Sequence, residues 1–148
     1  RLGSFATKNE AVNAALAALA DSLKRKELLS LRGKVVWQGD MHALPFKDGS
    51  FDLVVLMHAL TYAAKPAQAV AEGARVLRKG GRMLLSSLAR HEHRSVVEAY
   101  GHQNLGFAEK ELRKFADKAG LTIASSETVT REKRPPHFEV ISLIGVKA

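Results

Sequence analysis

Apolar and polar positions alternate along the chain in blocks that predict helices and strands in turn. Residues 9–26 carry apolar side chains at three- and four-residue spacing, which predicts an amphipathic helix. Residues 34–38 are β-branched and aromatic and predict a short buried strand. Residues 53–57 are continuously apolar, the pattern of a central strand in a parallel sheet that is covered on both faces.

The same reading extends to the second half of the chain. Residues 67–77 have helical spacing, and we expect Gly80 and Gly81 to end this helix with a left-handed cap. The elements predicted after this turn are, in chain order, a strand at 82–88, helices at 92–101 and 108–119, and strands at 121–130 and 138–146. Only a short charged turn joins the last two strands. They should therefore pair antiparallel, since a parallel connection needs a long crossover.

This alternation predicts an α/β fold. We expect a three-layer, Rossmann-like domain with a mostly parallel sheet and an antiparallel C-terminal strand. A chain of 148 residues with 46% hydrophobic residues has room for one core, so residues 1–148 should form a single domain. A doubly wound domain that opens on a helix lacks its first strand, and we therefore expect it to be incomplete at its amino-terminal side.

The composition limits the kinds of functional site and binding partner that the chain can have. The chain has no cysteine, which excludes disulfides and thiolate chemistry and favours a cytoplasmic location. Its apolar runs are too short to cross a bilayer, so no membrane partner is expected. The net charge of +8 would attract polyanions, but the basic clusters lie far apart in sequence, which favours a solvated surface over a nucleic-acid site. The sequence leaves a monomer and a homodimer both open.

Two segments resemble signatures of one enzyme family. Residues 38–55, QGDMHALPFKDGSFDLVV, resemble the pattern GDA..LPF.D.SFD.V of class I S-adenosylmethionine-dependent methyltransferases of the ubiquinone/menaquinone-biosynthesis type. Residues 72–82, EGARVLRKGGR, resemble the same family's E..RVL.PGG.L. Two long signatures in the right order are far more specific than one short motif.

The subgroup that the chain resembles most is the methyltransferase domain fused behind winged-helix regulators of the ArsR type. Its histidine-rich stretch and its pattern LGF....L......AGL are matched by residues 102–107 and 119–121. The resemblance implies that a glycine-rich cofactor loop precedes this chain, and it puts the ribose-binding acid near Ala6, which cannot do that work. A fragment of a longer enzyme and a degenerate domain both remain open, and the intact adenine segment favours the fragment.

The resemblance implies S-adenosylmethionine as cofactor and methyl transfer to a small-molecule acceptor. The alternative is a non-catalytic domain of the same fold that senses a ligand or contacts a partner in a transcriptional regulator. An intact glycine-rich loop upstream would favour the enzyme, because function depends on the site and not on the fold.

The resemblance also implies particular site residues. Asp40 would accept a hydrogen bond from the adenine amino group, and the backbone N–H of Met41 would donate to the ring. Met57 and His58 end the next strand, where the methionyl part and the substrate approach. Without the resemblance, an aspartate after a glycine can simply hold a turn, and His58 can serve as a base, cap a turn or pack. No side chain is assigned as the catalytic base.

Other candidate residues have simpler interpretations. Asp52 precedes an apolar strand at the end opposite the ligand, which favours a structural role. His91, His93 and His102 suggest a metal site, since histidine is a common zinc ligand. A spacing of two would point His91 and His93 to different sides of a helix, and no carboxylate pattern accompanies them. No metal site is predicted.

Overall fold

The computed structural model describes residues 39–148. The helix predicted at 9–26, the strand predicted at 34–38 and the position near Ala6 lie outside this range. The elements are, in chain order, β1 (Phe51–Met57), a 3₁₀ turn (Ala59–Tyr62), α1 (Pro66–Val76), β2 (Leu77–Leu88), α2 (Arg94–Val97), a 3₁₀ turn (Glu98–Tyr100), α3 (Glu109–Lys118), β3 (Leu121–Arg131) and β4 (Glu139–Lys147). None of the helices among these is long and apolar enough to cross a membrane.

The four strands form one mixed sheet in the order β1-β2-β4-β3. β1 and β2 are parallel, whereas β4 lies between β2 and β3 and runs antiparallel to both. The predictions of an α/β class and of an antiparallel hairpin near the carboxyl end are therefore confirmed. Residues 40–148 form one compact unit, and the assignment of the full chain to a single domain stays a prediction.

One face of the sheet packs against α1 and α3 to form the core. Small residues let α1 approach closely: a Cβ added at Gly73 would lie 2.7 Å from Met83 Cε and 3.3 Å from Val54 Cγ1. The largest side chains that are fully buried in this cluster are Leu60, Val70, Leu77, Met83, Leu85, Leu112 and Leu143. Their burial removes apolar surface from water, which stabilises the unit and fixes the position of the strand ends.

The end of α1 differs from the prediction. The helix stops at Val76, and Leu77 is already extended, so Gly80 and Gly81 do not cap it. The last carbonyls of the helix instead accept hydrogen bonds from Lys147 Nζ, over 3.1 Å at Arg75 and 2.7 Å at Leu77. The glycines lie inside β2, where the pairing jumps between Leu77 and Arg82 and Gly80 has a φ of +74°. Gly80 and Gly81 therefore form a β-bulge in β2, where a glycine with positive φ is favoured.

One further prediction needs correction, one stays untested, and one is confirmed. The helix predicted at 92–101 is reduced to α2 and a 3₁₀ turn, and Val97 is its one buried residue, too little packing to hold a longer helix. Val55 and Met57 in β1 are 38% and 41% exposed, and β1 is the outer strand of the described sheet. The strand predicted at 34–38 and the helix predicted at 9–26 lie outside the described residues, so a central β1 covered on both faces stays a prediction. α3 ends as predicted, with Gly120 following it at a φ of +76°.

Candidate active site

Asp40 begins a tight turn that its own side chain closes. The backbone N–H of His42 donates to Asp40 Oδ1 over 2.9 Å, and the N–H of Ala43 donates to the Asp40 carbonyl over 3.1 Å. A bond from this N–H to an aspartate two residues earlier is an Asx turn. Oδ2 accepts no hydrogen bond from any residue in the range 39–148, and the side chain is 63% exposed. In this segment, named the Asp40 turn (residues 40–43), Oδ1 holds the backbone and Oδ2 has no hydrogen-bond partner among the described residues.

The imidazole of His42 connects the Asp40 turn to the start of α1. Nδ1 contacts Asp40 Oδ1, and Nε2 accepts the backbone N–H of Lys65 over 3.0 Å. Because Nε2 accepts, the proton of the neutral ring is on Nδ1, which donates to Asp40. The Gln68 amide also donates to the His42 carbonyl over 3.0 Å. The His42 backbone N–H and then its imidazole hold the pKa of the Asp40 carboxyl below its usual range.

Met41 contributes its backbone to this turn and its side chain to the core. The side chain packs against the buried cluster, and no acceptor for its N–H lies among the residues that the structure describes. The turn thus presents one acceptor, Asp40 Oδ2, and one donor, the Met41 N–H, on adjacent residues. The edge of an adenine ring carries the complementary pair, an amino donor beside a ring nitrogen that accepts, so these residues fit the adenine of the cofactor.

The carboxyl end of β1 carries the other two predicted residues. Met57 ends the strand, and His58 follows in the left-handed region with φ 52° and ψ 12°, which is uncommon for a residue other than glycine. The His58 N–H donates to the Ser86 carbonyl over 2.9 Å, and the His58 carbonyl accepts from Thr61 Oγ1 over 2.7 Å. His58 therefore turns the chain sharply at the strand end, the place where ligands bind in open α/β sheets.

Asp52 lies at the opposite end of β1. Its carboxylate forms an ion pair with Arg78 in the bulge of β2, and both side chains are partly exposed. This contact supports the structural interpretation of Asp52.

Arg75 on α1 holds the segment that follows the Asp40 turn, named the clamped loop (residues 44–49). Its guanidinium donates to the carbonyl of Leu44 over 3.0 Å, to the carbonyl of Phe46 over 2.8 Å and to the carboxylate of Asp48 over 2.6 Å. Arg75 belongs to the second signature, but the sequence pattern alone indicates no role for it. The second signature therefore stabilises the loop of the first, which is a physical reason for the two to occur together.

Glu72 completes this clamp from the preceding turn of α1. It accepts the N–H of Leu44 over 2.9 Å and pairs with Arg75, whose Nε lies 2.9 Å from Glu72 Oε1. Hydrogen bonds from Arg75 and then from the Leu44 N–H lower the pKa of the Glu72 carboxyl. Hydrogen bonds to Glu72 and then to Asp48 raise the pKa of Arg75. Both residues are thus held in their charged forms.

Histidines cluster at the carboxyl end of β2. The rings of His91 and His93 stack with centroids 5.9 Å apart, and Phe138 packs edge-on against His91 at 4.7 Å. Burial lowers the pKa of His91, and the charges of His93 and His102 add to this effect. Within residues 39–148, His91 Nε2 and His102 Nδ1 are buried without a hydrogen-bond partner, and no set of three or more His, Cys, Asp or Glu side chains could hold a metal ion.

A cavity of about 270 Å³ opens beside these histidines, between the segment after β2 and the turn from β3 to β4. Its lining residues are Ala89, Arg90, His91, His93, Arg131, Pro136, His137, Phe138 and Glu139. The arginines in its wall are already paired, Arg90 with Glu111 and Arg131 with Glu139. The cavity is therefore a polar and aromatic recess without a strong excess of charge.

The histidine cluster is connected to the turn that follows His58. His102 packs edge-on against Tyr62 with centroids 4.9 Å apart. The backbone N–H groups of the next two residues, Gln103 and Asn104, donate to the Thr61 carbonyl over 2.8 and 3.0 Å. The Met57–His58 end of β1 and the histidine cluster thus belong to one continuous edge of the sheet.

The chain is similar in sequence and in fold to methyltransferases. Residues 3–85 match a family model described as a methyltransferase domain. The chain is 31% identical over 83 residues to a ubiquinone/menaquinone biosynthesis C-methyltransferase from Roseobacter denitrificans, a match that covers 55% of this chain and 33% of that protein. The chain spans 18%, 33% and 19% of the lengths of the first three curated relatives.

Solved structures of the same fold include enzymes with different chemistry. A SAM-dependent methyltransferase from Thermotoga maritima superposes with a TM-score of 0.61 at 23% identity, covering 82% of this chain and 68% of that one. The [4+2]-cyclase SpnF superposes with a TM-score of 0.61 at 19% identity, covering 95% of this chain and 63% of that one. The mixed sheet is thus that of the Rossmann-like methyltransferase fold, and the chain belongs to the class I S-adenosylmethionine-dependent methyltransferase family.

Proposed function

We propose that this chain supplies the adenine side of a methyltransferase active site, which transfers the methyl group of S-adenosylmethionine to a small-molecule acceptor. The observation that carries the proposal is that one turn holds both a free acceptor, Asp40 Oδ2, and a free donor, the Met41 N–H. Neither group has a hydrogen-bond partner among residues 39–148. The adenine amino group would donate to Asp40, and the Met41 N–H would donate to a ring nitrogen.

The chain's own residues position the ligands and exclude water, which is the main protein contribution to such a reaction. When bound, S-adenosylmethionine supplies a methyl group that leaves sulfur as the lone pair of the acceptor bonds to carbon. Met57 and His58 lie at the end of β1, where we expect the methionyl part and the acceptor to meet. No residue is assigned as a base.

The size and lining of the histidine-lined cavity support a small molecule as acceptor. A volume of about 270 Å³ is below the usual range for drug-sized ligands and suits a compact acceptor. Because its wall combines an aromatic ring with paired charges, we expect an acceptor that has both an apolar body and polar groups. The ArsR-type fusion, the cytoplasmic location and the absence of nucleic-acid binding through this segment stay predictions, and a monomer and a homodimer both stay open.

The proposal is tested with Asp40→Asn and calorimetric titration with S-adenosylhomocysteine. Asparagine keeps an oxygen for the His42 N–H, so the Asx turn survives, but it replaces the outward acceptor with an amide donor that opposes the adenine amino group. We expect micromolar binding by the native chain and a loss of about tenfold or more in the variant, the cost of one charged hydrogen bond.

Asp117→Asn on the exposed face of α3 is the matched control and should bind as the native chain does. Equal affinities of the native chain and Asp40→Asn would exclude Asp40 from adenine binding. No binding by a native chain of verified intact mass would overturn the proposal for this chain.

A further inference from the structure

The Asp40 carboxylate has two oxygens, and only one of them is free to bind a ligand. Oδ1 already accepts two donors from a single residue, the backbone N–H and the imidazole Nδ1 of His42. An exposed aspartate side chain would otherwise rotate and exchange its oxygens. The bond to the ring removes that freedom, because the ring is itself held: the His42 side chain is only 15% exposed, whereas that of Asp40 is 63% exposed.

The hold on the ring comes from α1. His42 Nε2 accepts the backbone N–H of Lys65, which immediately precedes the helix, and Gln68 in the first turn donates to the His42 carbonyl. Lys65 N–H is among the amide groups at a helix start that have no partner within the helix. The imidazole therefore satisfies one of these groups on one side and orients the carboxylate on the other.

We infer that His42 is a positioning residue for cofactor binding: its Nδ1–H fixes the Asp40 carboxylate so that Oδ2 faces the adenine amino group. The inference rests on the proposed function, because it concerns the same adenine contact. It adds a residue that touches no ligand and acts only through Asp40.

Two substitutions separate this role from simple attachment of the turn to the helix. The amide of His42→Asn takes the place of Nδ1 and can still donate to Asp40, but it cannot reach Lys65. The longer amide of His42→Gln takes the place of Nε2 and can still accept from Lys65, but it leaves Asp40 without the ring donor. Positioning requires the first contact, whereas attachment requires the second.

We expect His42→Asn to bind S-adenosylhomocysteine within about threefold of the native chain and His42→Gln to bind about tenfold more weakly, the cost of one hydrogen bond to a charged group. In the Asp40→Asn background, His42→Gln should cause no further loss, because the contact that it removes no longer serves a carboxylate. Arg113→Gln is the matched control, because it also removes a donor to an exposed carboxylate, that of Glu109 on α3, over 2.9 Å.

A titration without cofactor gives an independent readout. Because hydrogen bonds from His42 hold the pKa of Asp40 below its usual range, His42→Gln should raise the pKa measured by carboxyl ¹³C shifts, and His42→Asn should leave it low. The reverse order of the two variants, in affinity or in titration, would overturn the inference and assign His42 to attachment. If Asp40→Asn itself leaves the affinity unchanged, the proposed adenine site fails first, and the titration alone then reports whether His42 orients the carboxylate.

Discussion

The Asp40 turn and the clamped loop are consecutive parts of one segment and both lie against α1, yet they use their polar groups in opposite ways. In the clamped loop the carbonyls of Leu44 and Phe46 and the carboxylate of Asp48 all meet Arg75. In the Asp40 turn an oxygen and an N–H remain without a partner among residues 39–148. One signature therefore combines a part that stabilises the fold with a part that we propose for binding.

Removal of the clamp should have the largest effect on stability. Arg75→Ala leaves two loop carbonyls, Asp48 and Glu72 without their common donor, so we expect the lowest urea midpoint of the variants compared here. Arg75→Lys should recover only part of the loss, because an ammonium cannot match the fork of the guanidinium. Arg113→Ala is the control, since Arg113 forms an exposed pair with Glu109 one helical turn away.

Arg75→Ala also tests whether the clamped loop contributes to cofactor binding. If the clamped loop serves stability alone, the folded fraction of the variant should bind S-adenosylhomocysteine within a few-fold of the native chain. A stable variant that has lost binding would show that the two parts of the segment are not separate.

Loss of the Glu72 charge should reduce stability less than loss of Arg75, and the size of this reduction should depend on pH. Glu72→Gln removes the charge opposite Arg75 and should lower the free energy of unfolding by about 1 kcal/mol at neutral pH. The folded pKa of Glu72 lies below its ordinary value of 4.5, so its contribution is complete above that value and is lost as the pH falls through the folded pKa. The difference in unfolding free energy between native and variant chains should therefore shrink between about pH 5 and pH 3.

Urea unfolding across that pH range measures this difference, with Glu98→Gln in the exposed 3₁₀ turn as control. A difference that stays constant down to the lowest pH would mean that the Glu72 charge does not stabilise the clamp.

Substitution of Asp52 should have the smallest effect on stability. It also allows a comparison with Asp40, since the two aspartates flank the clamped loop. Asp52→Asn removes an exposed ion pair with Arg78, which should change the free energy of unfolding by no more than about 0.5 kcal/mol. S-adenosylhomocysteine affinity should be unchanged, in contrast to Asp40→Asn. Weaker binding by Asp52→Asn in the same titration would contradict its structural interpretation.

Local patterns predicted the elements of this fold well where packing and sequence agree. The apolar spacing of α1 and α3 and the short turn between β3 and β4 each determined an element that the structure confirms. The predicted end of α1 was wrong. The helix ends before Gly80, and Lys147, which is distant in sequence, donates to the carbonyls of Arg75 and Leu77 at that end. No local rule contains that contact.

In the candidate site, too, local features could be predicted from the sequence, whereas contacts between distant elements could not. The positions of Asp40 and His58 at turns and strand ends follow from the sequence, since a resemblance and a strand pattern place them there. The role of His42 could not be read in the same way, because its partner Lys65 lies on another element. A histidine two residues after an aspartate in a predicted turn was the available signal, since an Asx turn brings these two side chains together.

The position of β4 between β2 and β3 has a consequence for synthesis of the protein on the ribosome. β2 and β3 leave the exit tunnel before β4, but neither can pair with the other in the final order, since each bonds only to β4 on that side. The nascent sheet thus remains split until β4 emerges, and Lys147 then joins the end of α1. Because this closure depends on contacts distant in sequence, it should be slow compared with helix formation, and during that interval the unpaired edges of β2 and β3 are exposed to aggregation.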